Sequence, residues 1–189
     1  MKISNLFWLG WLVLGANPAV GQKAMIFDTA VNKIKLADYK STERVLGPRV
    51  WEKSFEADGL LPRLEIVNRD STQVLRLLVD YGGTKNAADQ FEIVAIDKHY
   101  KFPRKLVRTN IDTFRTSRKI TLFLQKDSVI KILGRSYKVL NGKGGNEELF
   151  FESSETDDFV KRHNEYKYFI QCRFRNGVLV KYWFGFESV

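Results

Sequence analysis

The chain has 189 residues, of which 44% are hydrophobic and 13% aromatic, so it can fold around a core of its own. This composition excludes a disordered chain, and the single cysteine, Cys172, excludes a scaffold stabilised by internal disulfides. The formal net charge of +9 is concentrated in one place, because residues 98–119 carry eight Lys or Arg and a single Asp.

The first segment in chain order is typical of a secretory signal peptide. Lys2 precedes the uncharged apolar run 6–16, and the small residues Ala19 and Gly21 suit the −3 and −1 subsites of a signal peptidase. Eleven apolar residues rise about 16 Å as a helix, well short of a hydrocarbon core of about 30 Å. The sequence therefore predicts that residues 1–21 are cleaved. The exported product would be periplasmic or secreted, with no transmembrane helix and no lipid anchor.

Two later segments share a short pattern of Ile-x-Leu, a polar link, a helical stretch and Leu-Gly. The copies are 34–47 and 120–134. Asp38 is placed to cap the first helix, and the glycine at the end of each copy suits the left-handed position that ends a helix. Helices of two turns do not persist alone, so each must pack on a sheet.

Strand-like sequence follows each Leu-Gly, and Asn176-Gly177 predicts a two-residue hairpin that pairs Phe174 with Leu179, Cys172 with Lys181 and Ile170 with Trp183. The predicted fold class is α+β, a short helix plus an antiparallel β-meander, in two tandem similar halves. These halves are 22–97 and 120–189, joined by the basic connector 98–119.

The stretch from Phe114 through Ile120-x-Leu122 and Val129-x-x-x-Leu133-Gly134 to the Asn176-Gly177 hairpin resembles a known exported bacterial module. It is similar to β-lactamase-inhibitor-like domains and to the small lipoprotein of the outer-membrane β-barrel assembly machine, most strongly over residues 112–189. The chain departs from that lipoprotein because it lacks the lipidated cysteine. The resemblance implies a non-catalytic protein-binding module of the cell envelope.

Residue types that carry catalysis or bind metals are sparse. His99 and His163 lie in separate segments, and no paired-cysteine or His-Glu-x-x-His spacing is present. Cys172 has Ile170 and Phe174 on its own strand face, which favours a buried, inert thiol over a nucleophile. The sequence thus indicates no enzyme, no cofactor and no metal site.

Two surfaces are candidates for binding. Five cations of the connector could hold lipid headgroups, lipopolysaccharide or an acidic polymer, or they could simply be solvated: Lys98, Lys101, Arg104, Lys105 and Arg108. Four aromatic residues are predicted to share one hairpin face, either as core or as a binding patch: Phe169, Tyr182, Phe184 and Phe186. Tyr166, Tyr168 and Trp183 would share the opposite face.

The leading functional hypothesis is an exported, non-catalytic binding protein of the bacterial cell envelope or secreted fraction, with an envelope protein as partner. The alternative is a binder of anionic surfaces through 98–108. Export argues against nucleic acid as the partner, and the sequence leaves the oligomeric state open.

Overall fold

The computed structural model describes residues 27–55, 62–79, 87–141, 145–153 and 155–187. The predicted signal peptide lies outside these residues. The elements confirm an α+β protein and are, in chain order, β1 (Ala30–Val31), β2 (Ile34–Lys35), α1 (Tyr39–Leu46), a 3₁₀ turn (Val50–Lys53), β3 (Arg63–Val67), β4 (Gln73–Leu78), β5 (Gln90–Ala95), β6 (Val107–Arg108), α2 (Lys126–Leu133), β7 (Lys138–Asn141), β8 (Asn146–Glu152), α3 (Asp158–Arg162), β9 (Tyr168–Arg175) and β10 (Val178–Phe186).

Eight of the strands form one sheet in the order β6-β3-β4-β5-β10-β9-β8-β7. Strands β3–β5 form one antiparallel meander and β7–β10 form another, and β5 pairs antiparallel with β10 to join them. Only the pairing of β6 with β3 is parallel among these. The predicted meander is therefore confirmed, while the tandem relationship of the two halves stays a prediction.

The two predicted short helices begin and end as their sequences indicate. The Asp38 carboxylate accepts a hydrogen bond from the Ser41 N–H at 3.1 Å and caps α1. Gln125, at the start of α2, makes no side-chain capping bond. Gly47 and Gly134 end the helices with φ of 97° and 96°, a region that favours glycine.

One face of the sheet is packed into the core. Alternate residues of each long strand point into it, and Val129 and Leu133 of α2 pack there as well. The opposite face, called the outer face from here on, carries residues that lie directly across from one another on six strands: Glu65, Arg76, Glu92, Trp183, Gln171 and Phe150. The core face is apolar and the outer face is mixed, as expected for a sheet packed on one side.

The Asn176-Gly177 hairpin is confirmed, but its predicted register holds for only one pair. Phe174 pairs with Leu179, whereas a bulge between Leu179 and Lys181 moves Cys172 opposite Tyr182 and Ile170 opposite Phe184. The physical reason is alternation: Leu179 faces the core, and an unbroken strand would place Lys181 on the same face. The extra residue turns Lys181 outward and Tyr182 inward.

The first part of the predicted connector 98–119 crosses the outer face, where Tyr100 contacts Glu65, and its last part reaches the core side with Phe114. It leaves the end of β5, passes over β4 and returns as β6 beside β3. Val67 and Val74 lie on the outer face and are nevertheless fully buried, so this half of the outer face is covered. In the described part of the chain, no helix combines the length and the apolar character that crossing a membrane requires.

Candidate functional site

A row of alternating charges underlies the connector. Arg76 of β4 lies between Glu65 of β3 and Glu92 of β5, and its guanidinium donates to their carboxylates at 3.1 Å and 2.7 Å. The Lys181 ammonium of β10 pairs with Glu92 from the other side. Burial alone would raise the pKa of Glu92, but Lys181 and Arg76 outweigh burial and lower it. Arg76 thus joins Glu65 to Glu92, and Glu92 joins Arg76 to Lys181.

Tyr100 fastens the connector to this row. Its hydroxyl donates to the Glu65 carboxylate at 2.6 Å, and its ring centroid lies 5.7 Å from the Arg76 guanidinium carbon. Burial and the bond to Glu65 raise the pKa of Tyr100 to about 12, so the hydroxyl stays protonated as a donor. Further along, Val107 pairs with Ile66 on the sheet edge. The connector is thus held at both ends of residues 101–106.

The five predicted anion-binding residues are all exposed on this tethered segment. Lys105 reaches the Ser54 carbonyl and Arg108 reaches the Ser71 hydroxyl, each at 3.4 Å. Within the described residues, none of the five forms a salt bridge. Phe102, among these cations, has 44% of its surface exposed and its ring meets that of Tyr100 edge-on. The segment therefore presents uncompensated positive charge around an exposed aromatic ring.

The predicted aromatic face is correct for three of its four residues, and those three form core rather than a binding patch. Tyr182, Phe184 and Phe186 are buried in the core, where they share a face with Tyr168. Phe169 lies on the outer face, across from Gly185. The bulge in β10 is the reason, because it shifts the register by one residue and places Phe169 opposite Gly185 instead of Phe184.

The outer face of β8–β10 carries a different aromatic cluster, which sequence reasoning missed. Phe169 meets Trp183 edge-on with centroids 5.1 Å apart, and it stacks with Phe150 at 6.2 Å. The Lys181 ammonium lies 4.7 Å from the Trp183 ring centroid. The sequence could have predicted this cluster only with the correct register of β8, β9 and β10, since its three rings lie on these adjacent strands.

A buried carboxylate on the core side was also missed. The Tyr182 hydroxyl donates to Asp28 at 2.6 Å, and the Ser117 hydroxyl and the Arg118 N–H donate to it at 2.9 Å and 2.8 Å. Burial raises the pKa of Asp28 despite these bonds. The Tyr168 hydroxyl donates to the Asp28 carbonyl at 2.7 Å. Asp28, Tyr168 and Tyr182 are fully buried, and their bonds fasten residue 28 to β9 and β10.

The thiol and the histidines are not arranged as a reactive site. Cys172 is buried, and burial raises the pKa of its thiol well above the usual value, which disfavours the nucleophilic thiolate. His163 lies on an exposed turn with its Nδ1 2.8 Å from the Phe159 carbonyl. Among the residues that the structure describes, no three metal-ligating side chains form a group.

The chain matches no protein-family model, no curated protein and no solved structure. The resemblance to exported binding modules is therefore a prediction, and function is argued from the geometry of the connector.

Proposed function

We propose that the protein is an exported, non-catalytic binding protein of the bacterial cell envelope or secreted fraction that attaches to an anionic surface through its connector. The observation that carries this proposal is the set of five exposed cations without salt-bridge partners in the described chain, on the same segment as the exposed ring of Phe102. Uncompensated charge on a fixed segment is available to an external anion.

Lipid headgroups are the surface that fits this segment. Each Lys or Arg near an anionic lipid surface contributes about 1 kcal/mol, so five give a useful affinity together. An aromatic ring amid cations suits the boundary between headgroups and acyl chains. Because Tyr100 and β6 already order the segment, little conformational entropy is lost when it binds.

The predicted signal peptide supports an envelope partner. Export would bring the connector to lipid and polysaccharide surfaces and keep it from nucleic acid. To test export, the full chain is produced with its own leader and the amino terminus of the recovered protein is determined. Gln22 at the new terminus is expected; retention in the cytoplasm with residues 1–21 attached contradicts the proposal.

Surface attachment is tested by sedimentation with vesicles of phosphatidylglycerol and of phosphatidylcholine, using the protein from Gln22 onward. We expect binding to the anionic vesicles only, with a steep loss as salt rises from 50 to 500 mM. Replacing Lys101, Arg104 and Lys105 by Gln should weaken binding at least tenfold. The matched control replaces Lys131, Lys161 and Arg175, which are exposed elsewhere, and removes the same charge. Equal losses in the two variants would reduce the effect to net charge and overturn the proposal.

A protein partner is the second candidate, favoured by the aromatic cluster of the outer face. Phe150 and Trp183 are partly exposed there, outside the core, and aromatic side chains dominate protein-binding hot spots. In an affinity capture from envelope extract, Trp183→Ala should lose a specific protein that the triple connector variant keeps. If the connector variant alone loses it, the aromatic cluster is not the contact.

A further inference from the structure

A tight turn presents a lysine near the start of the described chain. Val31 pairs with Ile34, so Asn32 and Lys33 form a two-residue hairpin turn between β1 and β2. Both have positive φ, 47° and 73°, as a type I′ turn requires. Asparagine tolerates this conformation, whereas glycine is the preferred residue at the second position and lysine is strained there. Strained residues of this kind are concentrated at functional sites, which makes the surroundings of Lys33 a place to look for one.

Asn32 fixes the turn against the carboxyl-terminal part of the connector. Its N–H donates to the Arg115 carbonyl at 3.0 Å, and its side-chain oxygen accepts from the Arg115 N–H at 2.9 Å. Its side-chain amide also donates to the Thr113 carbonyl at 3.3 Å. These three bonds hold the backbones of residues 32 and 115 together, so the side chains of Lys33 and Arg115 border the same region.

On the other side of the turn lies a cleft of about 490 Å³ between the turn, α1 and the connector. Arg44 of α1 lines it together with Lys33, and Val45 and Ile111 supply half-buried apolar walls. A smaller hollow shares Asn32 and Lys33 with the cleft and includes Arg115. Three cations therefore border two adjoining depressions, and none of the described residues that line them is a carboxylate.

The three cations are uncompensated in the described part of the chain, since none of them forms a salt bridge there. Lys33 faces Arg44 across the cleft and Arg115 across the smaller hollow, and like charges so placed repel each other and raise the local concentration of anions. Arginine offers paired N–H donors that match a phosphate, and lysine adds a point charge. The volume falls in the range of small-ligand sites.

We propose that this cleft binds a phosphate monoester that carries a small apolar group. The doubly charged phosphate lies at Lys33, where the cleft meets the smaller hollow, with Arg44 on one side and Arg115 on the other, and the apolar group contacts Val45 and Ile111. The site is separate from residues 98–108, so it does not depend on surface attachment by the connector.

Isothermal titration with phenyl phosphate and with inorganic phosphate tests the site on the protein from Gln22 onward. We expect saturable binding of both, with phenyl phosphate several-fold tighter because of the apolar walls. Lys33→Gly removes the charge and supplies the residue that the turn prefers, so binding should fall at least tenfold while the melting temperature holds or rises. Arg115→Gln should weaken binding similarly, and Lys33→Arg should largely preserve it.

The triple connector variant separates this proposal from the proposed function, because it should bind phenyl phosphate as tightly as the unsubstituted protein. In that variant, vesicles of phosphatidic acid either displace phenyl phosphate, which assigns the monoester to a lipid headgroup, or leave it bound, which assigns it to a soluble ester. Absence of saturable binding overturns the proposal, and so does unchanged binding by Lys33→Gly and Arg115→Gln.

Discussion

The sheet and the connector both carry Lys and Arg residues, but those of β4 and β10 are mostly buried in ion pairs and those of the connector are exposed. Arg76 and Lys181 lie mostly buried beside Glu92 and complete a row of ion pairs. Lys101 and Arg104, on the connector, are exposed and without salt bridges among the described residues. The difference teaches that carboxylate partners, rather than charge itself, determine whether a cation stabilises this fold or is available for binding.

Breaking the row should give the largest effect. Glu92→Gln leaves Lys181 and one side of Arg76 without their anion, so we expect a loss of about 2–3 kcal/mol in the free energy of unfolding. Urea denaturation measures it. The matched control is Glu52→Gln, because the side chains of Glu52 and Arg49 are 59% and 78% exposed and such pairs contribute less than about 1 kcal/mol. Equal losses in the two variants would contradict the comparison.

The buried carboxylates on the two faces should respond oppositely to pH. The pKa of Asp28 is raised in the folded state, so the folded protein binds more protons and its stability falls as pH rises from about 3.8 through the folded pKa. The lowered pKa of Glu92 adds stability above about 4.5 that is lost as pH falls through its folded pKa.

Each of these two pH dependences of stability should therefore be lost when the carboxylate that causes it is replaced. Relative to the unsubstituted protein, Asp28→Asn should gain stability as pH rises, by at most about 1.4 kcal/mol per pH unit. The deficit of Glu92→Gln should shrink in acid. Urea unfolding across pH 3 to 8 measures both, and parallel profiles for the two variants would refute the assignment.

Loosening the connector should have a smaller effect. Tyr100→Phe removes the bond to Glu65, with an expected loss of about 1 kcal/mol. The freed segment should be cut faster by trypsin at Lys101 and Arg104. Tyr39→Phe is the control, since Tyr39 is exposed. Unchanged proteolysis in Tyr100→Phe would show that β6 alone orders the connector.

The smallest effect is expected on the connector itself. Replacing Lys101, Arg104 and Lys105 by Gln should change the free energy of unfolding by less than about 0.5 kcal/mol, because none of the three forms an ion pair with a described residue. Thermal and urea unfolding check this. A loss above 1 kcal/mol would mean that these cations stabilise the fold after all.

Local patterns predicted the local structure well. The Asp38 cap, the glycines that end α1 and α2 and the hairpin at Asn176-Gly177 each depend on a few neighbouring residues. The exposure of the connector cations also followed from composition. What failed was alternation beyond the bulge, because a single extra residue exchanges the two faces of the strand.

Sequence reasoning could not find the contacts that join distant segments. Glu65, Arg76 and Glu92 meet through the register of three strands, and no local pattern encodes that register. The Asp28 network is harder still, since Asp28 and Tyr182 are separated by 154 positions. The cleft at Lys33 also depends on a long-range contact. Asn32 of its turn is hydrogen-bonded to Arg115, which lies 83 positions further along the chain.

The hydrogen bonds that join residue 28 to Tyr168 and Tyr182 should also affect the rates of folding and unfolding differently. These bonds close loops of 140 and 154 residues, and large loops are entropically costly to close before other contacts form. They should therefore form after the transition state for folding. Their loss would leave the folding rate nearly unchanged and accelerate unfolding, which makes residue 28 a determinant of the lifetime of the folded protein.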